Sequence, residues 1–225
     1  MHLLARDDEF SLSHCGNTVQ LRPSLRAAMR LERLHDGFGP LITMLDQFNT
    51  STIRDMILIA VSDYSAAQRF LASINTKPVQ TYRHAVTGPL SSLLAAFFPP
   101  EASDTTGTST TPEKAVPWSE AYAQLYQIGT GWLGWTPAET WAATPTEITQ
   151  ALEGRVAHLI EGYEDSYGME LLSSMHWVMV NNAGAKEKKA VAIEGVLSWN
   201  AAKRKRLKPE HLDKAWERLT ALGWS

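Results

Sequence analysis

The stretch Gly129–Gly154, GTGWLGWTPAETWAATPTEITQALEG, decides how this chain is read. It holds two Thr-Pro-x-Glu boxes, Thr136-Pro137-Ala138-Glu139 and Thr144-Pro145-Thr146-Glu147. Each predicts a helix start. The Thr caps exposed amides, the Pro takes the first helical position, and the Glu reaches back from the third. A short helix thus feeds a second one, with Trp132, Trp135 and Trp141 threaded around the joint. The stretch has no nucleophile, metal ligand or phosphate loop, so it is built for shape and contact.

Working outward, Trp118–Ile128 predicts a helix with Trp118, Tyr122, Leu125 and Tyr126 on one face. The second box opens a helix through Ile148, Leu152 and Val156 toward Tyr163, with Gly154 as a possible end. Leu171–Val180 reads as a strongly apolar helix, Lys186 to about Lys205 as a charged one, and Pro209 opens the last. On the other side, Pro99–Pro117 is rich in Pro, Ser and Thr and reads as a flexible linker. All eight tryptophans follow it.

The chain opens with a predicted β-hairpin over Glu9–Leu21. Phe10 and Leu12, then Val19 and Leu21, alternate with polar residues around a Gly16-Asn17 turn. Pro23 is expected to start a helix, Gly37 and Gly39 to break it, and further helices to cover Leu41–Phe48, the segment carrying Ile53–Ala60, Ser65–Ile74 and Val86–Phe97. The expected fold is mainly α: two helical modules joined by a flexible Pro/Ser/Thr-rich linker, the first opening with a short β-hairpin. The boundaries are 1–98 for the first module, 99–117 for the linker and 118–225 for a helical Trp-rich second module.

Composition narrows the function classes. The 225 residues are 44% hydrophobic, enough for real cores, and the net charge of −3 gives no overall pull toward nucleic acid or anionic membrane. Residues 185–225 carry ten Lys/Arg against five Asp/Glu, net +5, and the rest eleven against nineteen, net −8. Such polarity suits a solvated basic helix end, head-to-tail association or an acidic partner. One cysteine, Cys15, excludes an intramolecular disulfide framework and reads as an incidental thiol. With no signal peptide and no apolar run of membrane-spanning length, the expected location is cytosolic.

His158 and Glu161 share a helix face, but no His or Cys pair has a metal-ligand spacing. Glu161, Glu164 and Asp165 read as a solvated helix end. Ser173, Ser174 and His176 lack a nucleophile elbow, and there is no phosphate-binding glycine loop. No catalytic, cofactor or metal residue is assigned. The basic run Lys203-Arg204-Lys205-Arg206-Leu207-Lys208 is the sharpest charge feature. It reads as a contact for an acidic protein surface or as a plain solubility feature. The alternative is a helical regulatory or nucleic-acid-binding protein gripping phosphates at 203–208 with Trp199 or Trp216 for stacking.

Two segments resemble one known system. Glu9–Ala60, whose hairpin leads into Leu21-Arg22-Pro23-Ser24-Leu25 and then Leu31-Glu32, resembles the small tail-protein family of gene transfer agents and related siphophages. Trp118–Gly154, with Gly131-Trp132-Leu133-Gly134-Trp135-Thr136-Pro137, Trp141, Thr144 and Glu147, resembles the companion family. Both are phage tail assembly chaperones, made in many long-tailed phages as a short protein and a longer frameshifted fusion. Thr140 stands where the family more often has an aromatic, and Tyr167–Ser225 lies outside the resemblance.

The resemblance implies a non-enzymatic scaffold, without cofactor, that coats the tape measure protein, recruits the major tail tube protein and self-associates. It implies action in the host cytoplasm and absence from the finished virion, with no membrane partner. On this reading the apolar helices Ile53–Val61 and Leu90–Phe98, including Ile57 and Phe97, are expected to pack between copies or on the tape measure. Tube-subunit contact is expected at Trp132, Trp135 and Trp141 or at Lys203, Arg204, Lys205 and Arg206.

Overall fold

Two-residue hairpin loops demand positive φ at both central positions, because only that twist matches the flanking strands. In the computed structural model, which describes residues 9–98 and 117–224, Cys15 (φ 48°) and Gly16 (φ 76°) meet the demand. The turn is therefore one residue earlier than Gly16-Asn17. Asn17 opens the return strand, and its amide Nδ2 donates to the Cys15 carbonyl at 3.4 Å. β1 (Phe10–His14) and β2 (Asn17–Leu21) pair antiparallel with Leu12 opposite Val19, so Leu12, Val19 and Leu21 point into the core. Ser11–Gln20 and Ser13–Thr18 hydrogen bonds tie the outer face. The free edge of β2 is covered by backbone bonds from Arg22 N–H to Ala60 and from Ser62 N–H to Gln20.

The helices follow their caps. α1 (Leu25–Leu34) starts at Ser24, whose hydroxyl accepts the Ala27 N–H, so Pro23 lies just outside the helix. Gly37 (φ 111°) re-aims the chain into α2 (Phe38–Asp46), which begins ahead of the expected Leu41. Asn49 caps α3 (Thr50–Ala60) and Asp63 caps α4 (Tyr64–Asn75). The Ser65 hydroxyl, which donates to Asp63, is the main cause holding that carboxyl below its ordinary value of 3.8.

α5 (Val79–Ala96) is longer than the expected Val86–Phe97 and carries Pro89 inside it. Proline forfeits one helical hydrogen bond. Here Tyr82, Val86, Leu90, Leu93, Leu94 and Phe97 are all buried on one face, and packing overrides the local penalty.

After the undescribed residues 99–116, on which nearly all of the expected linker falls, α6 (Trp118–Gln127) packs on α1. Its Tyr122 is wholly buried and donates its hydroxyl to the Phe97 carbonyl at 3.1 Å. Phe38, Phe97, Phe98, Trp118 and Tyr122 form one aromatic cluster with ring centroids 4.7–6.1 Å apart. A π-helical turn (Ile128–Trp132), α7 (Pro137–Ala142) and the start of α8 (Pro145–Ile160) complete the same core.

The chain divides into compact units at Met1–Leu152 and Glu153–Ser225, not at the linker. The change in composition at Pro117 marks no structural boundary, because Tyr122, Leu125, Ala143 and Ile148 sink into the core begun by the hairpin and α1.

The second unit is all helical. α9 (Ser166–Asn181), α10 (Lys189–Ser198), α11 (Ala201–Arg206) and α12 (Pro209–Ala221) enclose a core that includes Leu171, Met175, Val178, Val196, Leu207 and Leu212. The charged helix expected from Lys186 to Lys205 is two helices. Asn200 breaks it by accepting the Lys203 N–H at 2.8 Å and capping α11. α10 crosses α9 at Gly195, where an added Cβ would lie 2.7 Å from Val178 Cγ1. The observed fold is thus mainly helical with an opening two-stranded hairpin, as expected. No helix among the described residues is long and apolar enough to cross a membrane.

Candidate functional site

Both Thr-Pro-x-Glu boxes are made. Thr136 Oγ1 accepts the Glu139 N–H at 3.2 Å, and Glu139 Oε2 accepts the Thr136 N–H at 2.8 Å and its hydroxyl at 2.7 Å. The hydroxyl bond is the main reason the Glu139 carboxyl sits below its ordinary 4.5. The second box repeats the exchange: Thr144 N–H to Glu147 Oε2 at 2.8 Å, Glu147 N–H to Thr144 Oγ1 at 3.1 Å.

Glu147 also takes part in a long-range contact. Arg22 Nη2 donates to both of its oxygens at 2.6 Å, Arg22 Nε donates to the Ala142 carbonyl at 3.2 Å, and the Leu25 N–H donates to the Ala143 carbonyl at 2.8 Å. The Leu21-Arg22-Pro23-Ser24 segment and the double box, 125 residues apart at the ion pair, therefore meet. Beside them opens a cleft of about 700 Å³ lined by Arg22, Trp135, Glu139, Glu147 and Gln150 among others. A π-turn is an unusual backbone that concentrates at functional places. Here it lets Gly129 approach Thr140 so closely that a Cβ would stand 2.4 Å from Thr140 Cγ2. The small buried Thr140 fits where an aromatic would not.

The three indoles expected at the tube-subunit contact differ in exposure. Trp132 is 51% exposed. Trp135 and Trp141 are half-buried against the core, and Trp141 packs on Tyr126 with ring centroids 4.6 Å apart. Ile57 and Phe97 are wholly buried, so both serve the unit's own core and offer no partner-facing surface. Their apolar spacing was real, and intramolecular packing consumed it.

A second cleft, about 480 Å³, was not anticipated. Arg26, Met29, Arg30 and Arg33 of α1 form one wall; Tyr126 of α6 and Trp141 of α7 lie across from them. Only one wall was legible in the sequence, since arginines at i, i+4 and i+7 share a helix face.

In the second unit, Trp177 of α9 and Trp199 stack at 4.5 Å with 28° between planes, yet remain 48% and 43% exposed. Lys203 Nζ lies 5.6 Å from the Trp199 ring centroid and pairs with Glu170 at 2.9 Å. Arg206 pairs with the same carboxylate at 2.7 Å. Glu170 is held below 4.5 chiefly by its bond from Lys203. Arg204 Nε donates to the Leu197 carbonyl at 3.3 Å, and Lys205 is exposed. The basic run is thus largely anchored to its own unit.

Other polar groups of the second unit make contacts within it. Ser174 donates to the Glu170 carbonyl and accepts from Lys203 Nζ, each at 2.6 Å. His176 sits beside Trp224, and burial, then the Lys186 charge, holds its pKa below 6.5. His158 and Glu161 pair at 3.5 Å on an exposed face. Among the described residues no three His, Cys, Asp or Glu converge as a metal site. No family model, curated protein or solved structure matches this chain.

Proposed function

We propose that this chain is a non-enzymatic phage tail assembly chaperone that binds the tape measure protein, keeps it soluble and recruits tail tube subunits. What supports the reading is one observation. The two segments that carry the resemblance fold against each other through Arg22, Glu147, Leu25 and Ala143, as halves of one fused protein would. Around that joint the unit offers open clefts lined with aromatic and charged side chains, suited to protein contact. On this reading the protein acts in the host cytoplasm, self-associates and leaves before the virion is complete.

The test is co-expression with candidate tail tube and tape measure proteins, read by pull-down and light scattering. A soluble complex that keeps the tape measure from aggregating supports the proposal, and aggregation unchanged by the chain sinks it. A second reading, nucleic-acid binding at 203–208, draws on the exposed Trp177–Trp199 stack. It is weakened by Glu170, which already holds Lys203 and Arg206. Steeply salt-dependent binding to DNA by the purified chain would favour it.

A further inference from the structure

The cleft between α1 and the α6–α7 segment has a composition that its own unit does not use. Arg26, Arg30 and Arg33 are exposed, and none has a hydrogen-bond or ion-pair partner among the described residues. They lie along about 10 Å of helix, two turns at 1.5 Å per residue. Met29 is half-buried between them, and the Tyr126–Trp141 ring pair faces them.

Three unpaired guanidinium forks repel one another, so a surface that keeps them together favours carboxylates, which they match in shape and charge. The aromatic wall wants apolar surface.

We propose that this cleft is a docking groove for an acidic amphipathic helix of a partner protein. Carboxylates spaced one turn apart meet Arg26, Arg30 and Arg33, and an apolar side chain between them seats on Tyr126, Trp141 and Met29. This is helix-in-groove recognition with charge complementarity along one wall. Nucleic acid fits less well. The Tyr126 and Trp141 rings are packed on each other at 4.6 Å, leaving no slot between them for a base. The unit that bears them carries ten Lys/Arg against fourteen Asp/Glu, net −4, which repels a long polyanion. The groove stands on its own geometry, whatever the origin of the partner helix, and does not depend on the tail-assembly reading.

The experiment uses the full chain and a fluorescein-labelled helical peptide of about four turns. One stripe of the peptide carries Glu at i, i+4 and i+7, and the adjacent stripe carries Leu and Phe. A second peptide has Gln for every Glu, and a single-stranded oligonucleotide of similar length is the third probe. Anisotropy is expected to report binding of the Glu peptide, weakened by salt. R30E and the triple variant R26Q/R30Q/R33Q are expected to weaken it at least about tenfold. K203E/R206E is expected to leave it unchanged. These arginines are solvent-exposed, and circular dichroism checks that each variant keeps its helix content. Equal binding of the Gln peptide, no loss in the arginine variants, tighter binding of the oligonucleotide at this cleft, or no binding of the Glu peptide would each overturn the proposal. Failure of the co-expression experiment alone would count only against the tail-assembly reading.

Discussion

The Arg22–Glu147 pair offers the sharpest test of how the chain is divided. The two side chains are 29% and 22% exposed, so the pair is neither a surface ion pair nor a fully buried one. Exposed pairs contribute about 0.2–1 kcal/mol, and hydrogen bonds to charged groups about 1.5–3 kcal/mol. Arg22 Nη2 bonds both carboxylate oxygens while Nε is held by the Ala142 carbonyl, which fixes the guanidinium in place. We expect a coupling of about 1–1.5 kcal/mol in a double-mutant cycle of R22M and E147Q, above the exposed-pair range and discounted for partial solvent screening. E147A should cost more than E147Q by about 1 kcal/mol, because it also removes the acceptor for the buried Thr144 N–H and opens the capping box. Hydrogen exchange read by mass spectrometry is the assay, since it locates the loss. Faster exchange should appear both in Pro145–Ile160 and in the Phe10–Leu34 region. A coupling below about 0.3 kcal/mol, the additivity error for independent sites, would refute the argument. So would exchange that rises after residue 117 and not in the hairpin and α1.

Three further outcomes are expected. G129A should destabilise the first unit by about 1–3 kcal/mol or more, as overpacking does, because its Cβ would meet buried Thr140; G129A/T140S should recover part of the loss in urea melts. The Tyr122 phenol, pushed above its ordinary 10 by burial and then by the Glu32 charge, should give a late phase in an alkaline absorbance titration, and Y122F should abolish that phase. Glu170 is depressed below 4.5, so its contribution is fully present above that value and is lost as pH falls further through its folded pKa. Acid titration of tryptophan fluorescence, sensitive to Lys203 beside Trp199, should show a step below pH 4.5 that E170Q removes.

Local signals carried most of the elements. Alternation of Phe10, Leu12, Val19 and Leu21 marks the hairpin, and the two Thr-Pro-x-Glu boxes mark α7 and α8 to the residue. What failed was everything decided by non-local packing. The helix expected from Val86 begins seven residues earlier, because the buried stripe from Tyr82 to Phe97 extends α5 back to Val79. Asn200 looked like one more polar position in a charged helix, but its side chain caps a new one. The linker composition suggested two modules, whereas the destination of Tyr122 could be known only from the space left by Phe38 and Phe97. The candidate contacts divided the same way. Ile57 and Phe97 have the apolar spacing of a partner face and of a core face alike, and only the fold distinguishes them.

The same division explains why the arginine cleft went unread. Four residues of α1, Leu25, Ala27, Ala28 and Leu31, are spent on the core. The helix packs against α2, α3, α6 and α7, and Arg26, Arg30 and Arg33 stay exposed. In sequence that stripe, Arg26, Arg30 and Arg33, is an ordinary solvated face. It becomes a recognition surface only because the docking of residues 118–152 brings Tyr126 and Trp141 across from it. The Arg22–Glu147 joint holds that segment in place, so weakening the joint should weaken the groove as well. R22M/E147Q, which touches none of the groove residues, should therefore lower Glu-peptide affinity while leaving its salt dependence unchanged. The salt slope reports how many charges meet in the complex, and the affinity reports how often the groove is formed. A preformed groove, indifferent to R22M/E147Q, would show that the aromatic wall is fixed by the Tyr122–Phe97 core alone.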